Sequence, residues 1–309
     1  MVLEVFVSIC LPILVMAAVG WVLDRSFGLD LRTLVKLTIN VILPAFMFSR
    51  VVASNLSGEM VLKTVLFTAA MIALLFALAE LLGRAFGRPK PMRRSWQMAA
   101  MFYNSGNYGI PLIALAYPVV GPPIQVFVLL AQNVANFSLG MLLASSGGGR
   151  QGWRAWLPAL RQAPLWGVAA AFLVRFLEIP VTEWKWVWQP VNYLGDALVG
   201  VALVTLGTQL SQTASARPPR DLAVAVPLRL VGGPALALPL VWLFGFEGDV
   251  AAALVLGAGV PTAVNVALIA HDLDADHAFL AACVFYTTLC SVVTVSIVAT
   301  LLRLFPVFG

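Results

Sequence analysis

Apolar runs separated by short polar loops follow one another along the whole chain, and most are about 20 residues long, the length a helix needs to cross hydrocarbon. They predict ten spans, over residues 2–23, 31–53, 61–86, 94–117, 123–144, 156–179, 191–212, 222–246, 250–270 and 278–304. Two of these runs are interrupted near their middle. The fourth carries Asn104-Ser105-Gly106-Asn107-Tyr108-Gly109-Ile110-Pro111, and the ninth carries Gly257-Ala258-Gly259-Val260-Pro261-Thr262-Ala263-Val264-Asn265. Glycine raises the entropy cost of helix, and proline removes a donor and clashes with the preceding turn. An opened helix in hydrocarbon leaves backbone groups unpaired, at several kcal/mol each, so such a break survives only where it lines a cavity or is covered by protein. Both breaks are therefore candidate functional sites. Pro111 and Pro261 lie about half a chain apart, as two related halves with one broken helix each would place them.

Composition agrees with this pattern. Of 309 residues, 61% are hydrophobic and 11% charged, with a mean hydropathy of +0.94. Soluble domains carry about 25% charged residues, so the chain reads as an all-α, multi-pass membrane protein. The net charge of +5 is no nucleic-acid signal, because the basic residues sit in short loops. The first run has no basic region ahead of it and is longer than a signal-peptide core, so it is expected to be a retained helix.

Loop charge sets the expected orientation. Arg25 and Arg32 flank the first loop, and Arg84, Arg88, Lys90, Arg93 and Arg94 fill the third. Arg150 and Arg154 flank a Ser/Gly-rich stretch at 145–151, and Arg217 and Arg220 follow the seventh span. The loops at 118–122 and 246–249 have no Lys or Arg. The positive-inside rule then places both termini outside, in a cell (inner) membrane. An odd number of spans per half makes the halves inverted, as in many secondary transporters. The expected division is a first repeat at 1–145, a cytoplasmic linker at 146–155 and a second repeat at 156–309.

Each break starts a second half-helix near midplane, with Pro111 or Pro261 expected in its first turn. A helix N-terminus offers free N–H groups and about half a positive charge. In inverted halves these ends converge, which favours an anion such as a small carboxylate. Asn104, Asn107 and Asn265 supply neutral donors and acceptors beside them, or else repair the broken backbone. Gln132 and Asn133, with Asn136 a turn later, form a polar patch on the fifth span that suits either a second wall of the site or a helix–helix hydrogen bond. Asn40, one turn before Pro44, is a further candidate, and Thr262 with the open backbone could hold Na⁺.

Ionisable residues inside the spans are few. Glu80 can pair with Arg84 four residues on. Asp196 is expected near the outer interface, and Arg229 either snorkels inward or counters an anion. Neither break contains a carboxylate, which argues against a cation/proton antiporter. The cluster from His271 to His277 reads as a solvated loop, although a divalent-metal site can be drawn from it. Cys10, Cys283 and Cys290 lack metal-ligand spacing and read as small apolar side chains. Trp153, Trp156, Trp184, Trp186 and Trp188 mark membrane interfaces. Nothing resembles a catalytic triad, a phosphate loop or a cofactor motif, so no enzyme, metal or cofactor is expected.

The motif at 104–112, Asn-Ser-Gly-Asn-Tyr-Gly-Ile-Pro-Leu, resembles the fourth-helix motif of the auxin efflux carrier family of transporters. Val260-Pro261-Thr262-Ala263-Val264-Asn265, followed by Ala270-His271-Asp272, resembles its ninth-helix motif; the runs at 40–46 and 206–210 fit its second and seventh spans. The resemblance implies ten transmembrane helices in two inverted five-helix repeats, with the broken helices four and nine crossed, as in the bile-acid-symporter-like fold. It implies a scaffold of spans one, two, six and seven, often a homodimer interface, and a transport domain of spans three to five and eight to ten that moves by an elevator-like step. It implies an organic anion substrate (auxin in plants, malate or malonate-type acids in bacteria) bound at Asn104, Asn107, Asn265, Gln132 and Asn133. The long central loop of many plant members is absent, which points to a prokaryotic-type member. Two alternatives stay open: a sodium- or proton-coupled carrier of the bile-acid-symporter type, and a non-transporting membrane sensor.

Overall fold

A computed structural model describes residues 2–144, 161–213, 219–272 and 276–305. The Ser/Gly-rich stretch, Arg150, Arg154, Trp153, Trp156 and Arg217 lie outside the described residues, as does part of the 271–277 cluster. Everything described is helix or short link. The helices are α1 Leu3–Phe27, α2 Leu31–Val52, α3 Gly58–Ala85, α4 Lys90–Met101, α5 Gly109–Ala116 and α6 Gly121–Ala144. The second half continues with α7 Ala163–Phe176, α8 Lys185–Thr213, α9 Leu222–Leu243, α10 Gly248–Ala258, α11 Val264–Asp272 and α12 His277–Leu304.

Seven of these, α1, α2, α3, α6, α8, α9 and α12, are long and apolar enough to cross a membrane. Ten crossings were expected. The other three expected runs appear as shorter pieces for two reasons. The breaks divide two of them into α4 with α5 and α10 with α11, and α7 is a shorter helix of 14 residues that begins after Gln162, whose backbone is extended. The expected boundaries hold within a few residues except at the starts of α7, which begins at Ala163 rather than 156, and of α8. That last helix begins at Lys185, six residues before the expected start, and takes Pro190 into its interior. Trp184 and Trp186 stack at that entry with ring centroids 6.4 Å apart.

Local chemistry explains the ends. Asp30 caps α2 by accepting from the Arg32 N–H at 3.1 Å, and Ser57 caps α3 by accepting from the Met60 N–H at 3.1 Å. Gly28 ends α1 in the left-handed conformation at φ 64°, which glycine adopts without steric cost. Wide π-helical turns interrupt α1 at Phe6–Cys10, α2 at Thr38–Ile42 and α6 at Asn136–Gly140. The first two immediately precede Leu11-Pro12 and Leu43-Pro44, where a proline cannot donate back along the helix.

The main contacts are α1 on α8, α2 on α7 and on α8, α3 beside α4 and α6, α9 beside α10 and α12, α5 beside α6, and α11 beside α12. Small residues make the α1–α8 contact close: a Cβ on Gly207 would strike the Ala17 carbonyl, and one on Gly20 the Val204 carbonyl. Thr208 Oγ1 also donates across to Gly20 O at 3.4 Å. Without a hydrophobic force between helices in lipid, such close approach supplies the packing. A Cβ on Gly167 of α7 would likewise meet Pro44 of α2.

Polar ties fasten the two ends of the bundle. Glu80 pairs with Arg84, as its spacing predicted, and also with Arg93 and the Gln97 amide, which joins α3 to α4. Asp196 pairs with Arg50 of α2 at 2.5 Å with both groups partly exposed, a contribution of about 0–1 kcal/mol. Arg88 pairs with Asp221 at 2.8 Å, and Gln212 donates to Asp24 at 2.8 Å.

Two substitutions separate contact from propensity. Gly200 has only ordinary contact around its Cβ position, whereas Gly207 faces backbone. Gly200→Ala is expected to be stabilising by about 0.5–1 kcal/mol, and Gly207→Ala destabilising by about 1–3 kcal/mol. Unfolding in detergent measures both; equal effects of the same sign would contradict the close α1–α8 packing.

Candidate functional site

The two breaks meet. The link from α4 to α5 runs antiparallel to the link from α10 to α11, with Tyr103 bridged to Thr262. The Asn104 N–H donates to Pro261 O at 2.8 Å, and the Ala263 N–H donates to Phe102 O at 3.0 Å. Each broken segment thus repairs part of the other's backbone. Side chains complete the repair. Thr262 Oγ1 donates to Ala99 O at 2.9 Å, Thr287 Oγ1 of α12 accepts from the Thr262 N–H at 3.1 Å, and Gln125 Nε2 of α6 donates to Ser105 O at 2.8 Å.

Arg229 of α9 is fully buried at the crossing. Its guanidinium donates to Ala100 O, next to the end of α4, and to Ala258 O, at the end of α10. It lies 4.9 Å from the centroid of the Tyr103 ring. It therefore neither snorkels to an interface nor lines the cavity. It serves the negative ends of two half-helices.

Beside the crossing is a cavity of about 230 Å³. One wall is the crossing itself, from Tyr103 to Asn107 and from Ala263 to Asn265. A second is α6, with Leu129, Gln132, Asn133, Asn136 and Phe137; α2 and α8 close it with Thr38, Ile39, Leu43, Leu198 and Gln209, and Gln162 enters from just before α7. Two of the three π-helical turns contribute residues to it. Among the described residues, none that lines it is Asp, Glu, Lys, Arg or His.

Several amide atoms on this wall have no hydrogen-bond partner although buried: Asn104 Nδ2, Gln132 Oε1, Asn136 Oδ1 and Gln162 Nε2. Leaving such an atom unpaired costs about 1–3 kcal/mol. Together they present both donors and acceptors to whatever fills the space. Gln132 is held in place by its Nε2, which donates to Met101 O at 3.3 Å.

The structure thus brings Asn104, Asn107, Gln132, Asn133 and Asn265 of the expected site into one cavity. It puts four others elsewhere. Asn40 is exposed and donates to Lys36 O at 2.8 Å on its own helix. Pro111 is buried in the first turn of α5 but off the lining. Pro261 precedes α11 by three residues, in the extended link rather than in a first helical turn, because its carbonyl is needed by Asn104. Thr262 turns its hydroxyl to Ala99. Gln162 and Gln209 were not singled out as site residues. Each is one amide at the edge of an otherwise apolar run, and only the fold shows which side it faces.

The helix ends are also unequal. In α5 the Gly109 and Ile110 N–H groups are taken by Asn104 O and Gly106 O. The first residues of α11, Val264 and Asn265, line the cavity, where a helix start has N–H groups without intrahelical partners. Among the described residues no group of three or more His, Cys, Asp and Glu could hold a metal ion; Asp276 instead caps α12.

Known proteins share this sequence pattern. Residues 153–299 match a family model described as "Membrane transport protein". The chain is 27% identical over 292 residues to an "Uncharacterized transporter" of Methanothermobacter thermautotrophicus, covering 92% of this chain and 94% of that one. It is 28% identical over 278 residues to a "Putative malonate transporter" of Rhizobium meliloti, covering 84% of this chain and 83% of that one. In its bundle of apolar helices and in its sequence the chain is similar to membrane transporters rather than to enzymes. The resemblance to the auxin efflux carrier family carried by the motifs at 104–112 and 260–265 is borne out, and the microbial relatives agree with a prokaryotic-type member.

Thr262 and Asn104 give a stability test of the two kinds of polar group at the crossing. Thr262→Val orphans the Ala99 carbonyl and is expected to cost about 1–3 kcal/mol. Asn104→Ala removes an amide nitrogen that has no partner and is expected to cost less. Thermal unfolding in detergent decides the order; the reverse order would contradict the assigned hydrogen bonds.

Proposed function

We propose that this protein is a secondary carrier of a small organic anion, a short carboxylate of the malonate type. The observation that carries this reading is the amide-lined cavity at the crossing, with its unpartnered buried donors and acceptors. Its volume of about 230 Å³ is below the roughly 300–1,000 Å³ typical of drug-sized ligands, which suits a molecule of a few heavy atoms. Amide and backbone N–H donors, with the start of α11 on the wall, favour a carboxylate. The malonate name of one relative agrees with that chemistry.

Alternating access through two inverted five-helix repeats is supported by reciprocal packing. With α1 to α6 forming spans one to five and α7 to α12 forming spans six to ten, first on seventh answers sixth on second, and third beside fourth answers eighth beside ninth. The cavity lies between the α1, α2, α7 and α8 group and the remaining helices, where an elevator-like displacement of one group past the other would carry the ligand across. We place the basic loops inside a cell membrane and both termini outside. Arg88 with Asp221 and Gln212 with Asp24 support one common side for the first, third and seventh loops. A homodimer through the first group completes the proposal.

Malonate and other short carboxylates are expected to raise the thermal stability of the purified protein and to be taken up by proteoliposomes. Asn104→Ala, Gln132→Ala and Asn265→Ala each remove one hydrogen bond to a charged ligand, about 1.5–3 kcal/mol, and should weaken binding roughly 10–100-fold. Unchanged binding in all three would overturn the site. Binding without flux in repeated reconstitutions would favour a sensor over a carrier.

A further inference from the structure

We propose that Arg229 is a tethered cation that permanently fills the place where a carrier built on crossed broken helices would bind a coupling ion, so that transport here needs no inorganic cation. The inference rests on the carrier reading above. In such proteins the C-terminal ends of half-helices and the unwound carbonyls beside them are where Na⁺ or a proton is held. Here those ends are α4 and α10, and they face each other across the crossing.

Each end presents carbonyls without intrahelical partners and about half a negative charge. Two such ends meeting inside hydrocarbon require a positive group. Arg229 supplies it: one guanidinium nitrogen serves Ala100 O and the other Ala258 O, on two different helices. A planar fork with fixed donors can span two carbonyls in this way, as a spherical ion held by several oxygens would. The backbone is cut back to admit it, because a Cβ on Gly233 would collide with both the guanidinium and the Ala258 carbonyl.

The charge has no carboxylate partner among the described ion pairs. Its neighbours are carbonyl dipoles and the face of Tyr103, at 4.9 Å. A buried salt bridge is therefore not its purpose. Among the described residues, those lining the cavity on the far side of Tyr103 include no Asp or Glu to complete a Na⁺ site or to carry a proton. The fixed charge remains in place throughout a cycle, so its field is present without an ion being bound and released.

The test uses the full-length protein with malonate as the probe. Malonate affinity and uptake by the wild type are expected to be unchanged when sodium chloride is replaced by choline chloride. An affinity about tenfold higher in sodium would overturn the proposal. In thermal unfolding, Arg229→Lys is expected to lie between the wild type and Arg229→Met, and guanidinium ion at low concentration should restore part of the stability of Arg229→Ala. Arg229→Met as stable as Arg229→Lys would show that packing rather than charge matters and would also overturn it. If none of the variants folds, the sodium-replacement comparison on the wild type still decides. Absence of malonate binding in either salt would instead count against the carrier reading, and the Lys and Met comparison would continue to test Arg229.

Discussion

Hydrocarbon tolerates no unpaired backbone, and this constraint shapes the centre of the molecule. Two helices are opened, and the cost of opening either alone would be several kcal/mol for each exposed group. The cost is offset because the open segments pair with each other, as a two-rung antiparallel ladder through Asn104, Pro261, Phe102 and Ala263. What the ladder leaves over is taken by Thr262 within the link itself and by Thr287, Gln125 and Arg229 from neighbouring helices. Neither break is stable without the other, so the two halves of the chain are locked together at this point.

The cavity follows from that arrangement. Backbone carbonyls and N–H groups are consumed by the ladder, and the side-chain amides around it are left facing open space. Gln132 illustrates the division: its nitrogen is spent on Met101 O, and its oxygen is left without a hydrogen-bond partner. Charge is kept out of the lining and placed one aromatic ring behind it, at Arg229. On the proposed reading, selectivity rests on hydrogen-bond geometry rather than on a direct ion pair, whose desolvation is expensive.

The breaks, the approximate extents of the helices and the amides near the crossing were legible in the sequence because each violates the expectation for an apolar helix. Asn104, Asn107, Gln132, Asn133 and Asn265 stood out for that reason. What was not legible depends on direction. Asn40 has the same polar character but faces away and bonds to Lys36 of its own helix. Thr262 sits in the motif but turns to Ala99. Arg229 was visible as a charge in a span, but its two carbonyl partners lie 129 and 29 residues away in sequence. The start of α8 was not legible either, because the helix runs through Pro190, a residue that usually ends or kinks a helix.

The wide turn at Thr38–Ile42 has a consequence for how α2 presents itself to its surroundings. A loop closed five residues on rather than four holds one residue more than its neighbours. Everything before it is thereby rotated by about 100° relative to everything after it. A helical wheel drawn over the whole of α2 mixes two phases and blurs its lipid-facing and protein-facing stripes. Drawn separately on either side of Thr38–Ile42, the two wheels should resolve, and the residues lost in the average are the ones that reach the cavity wall.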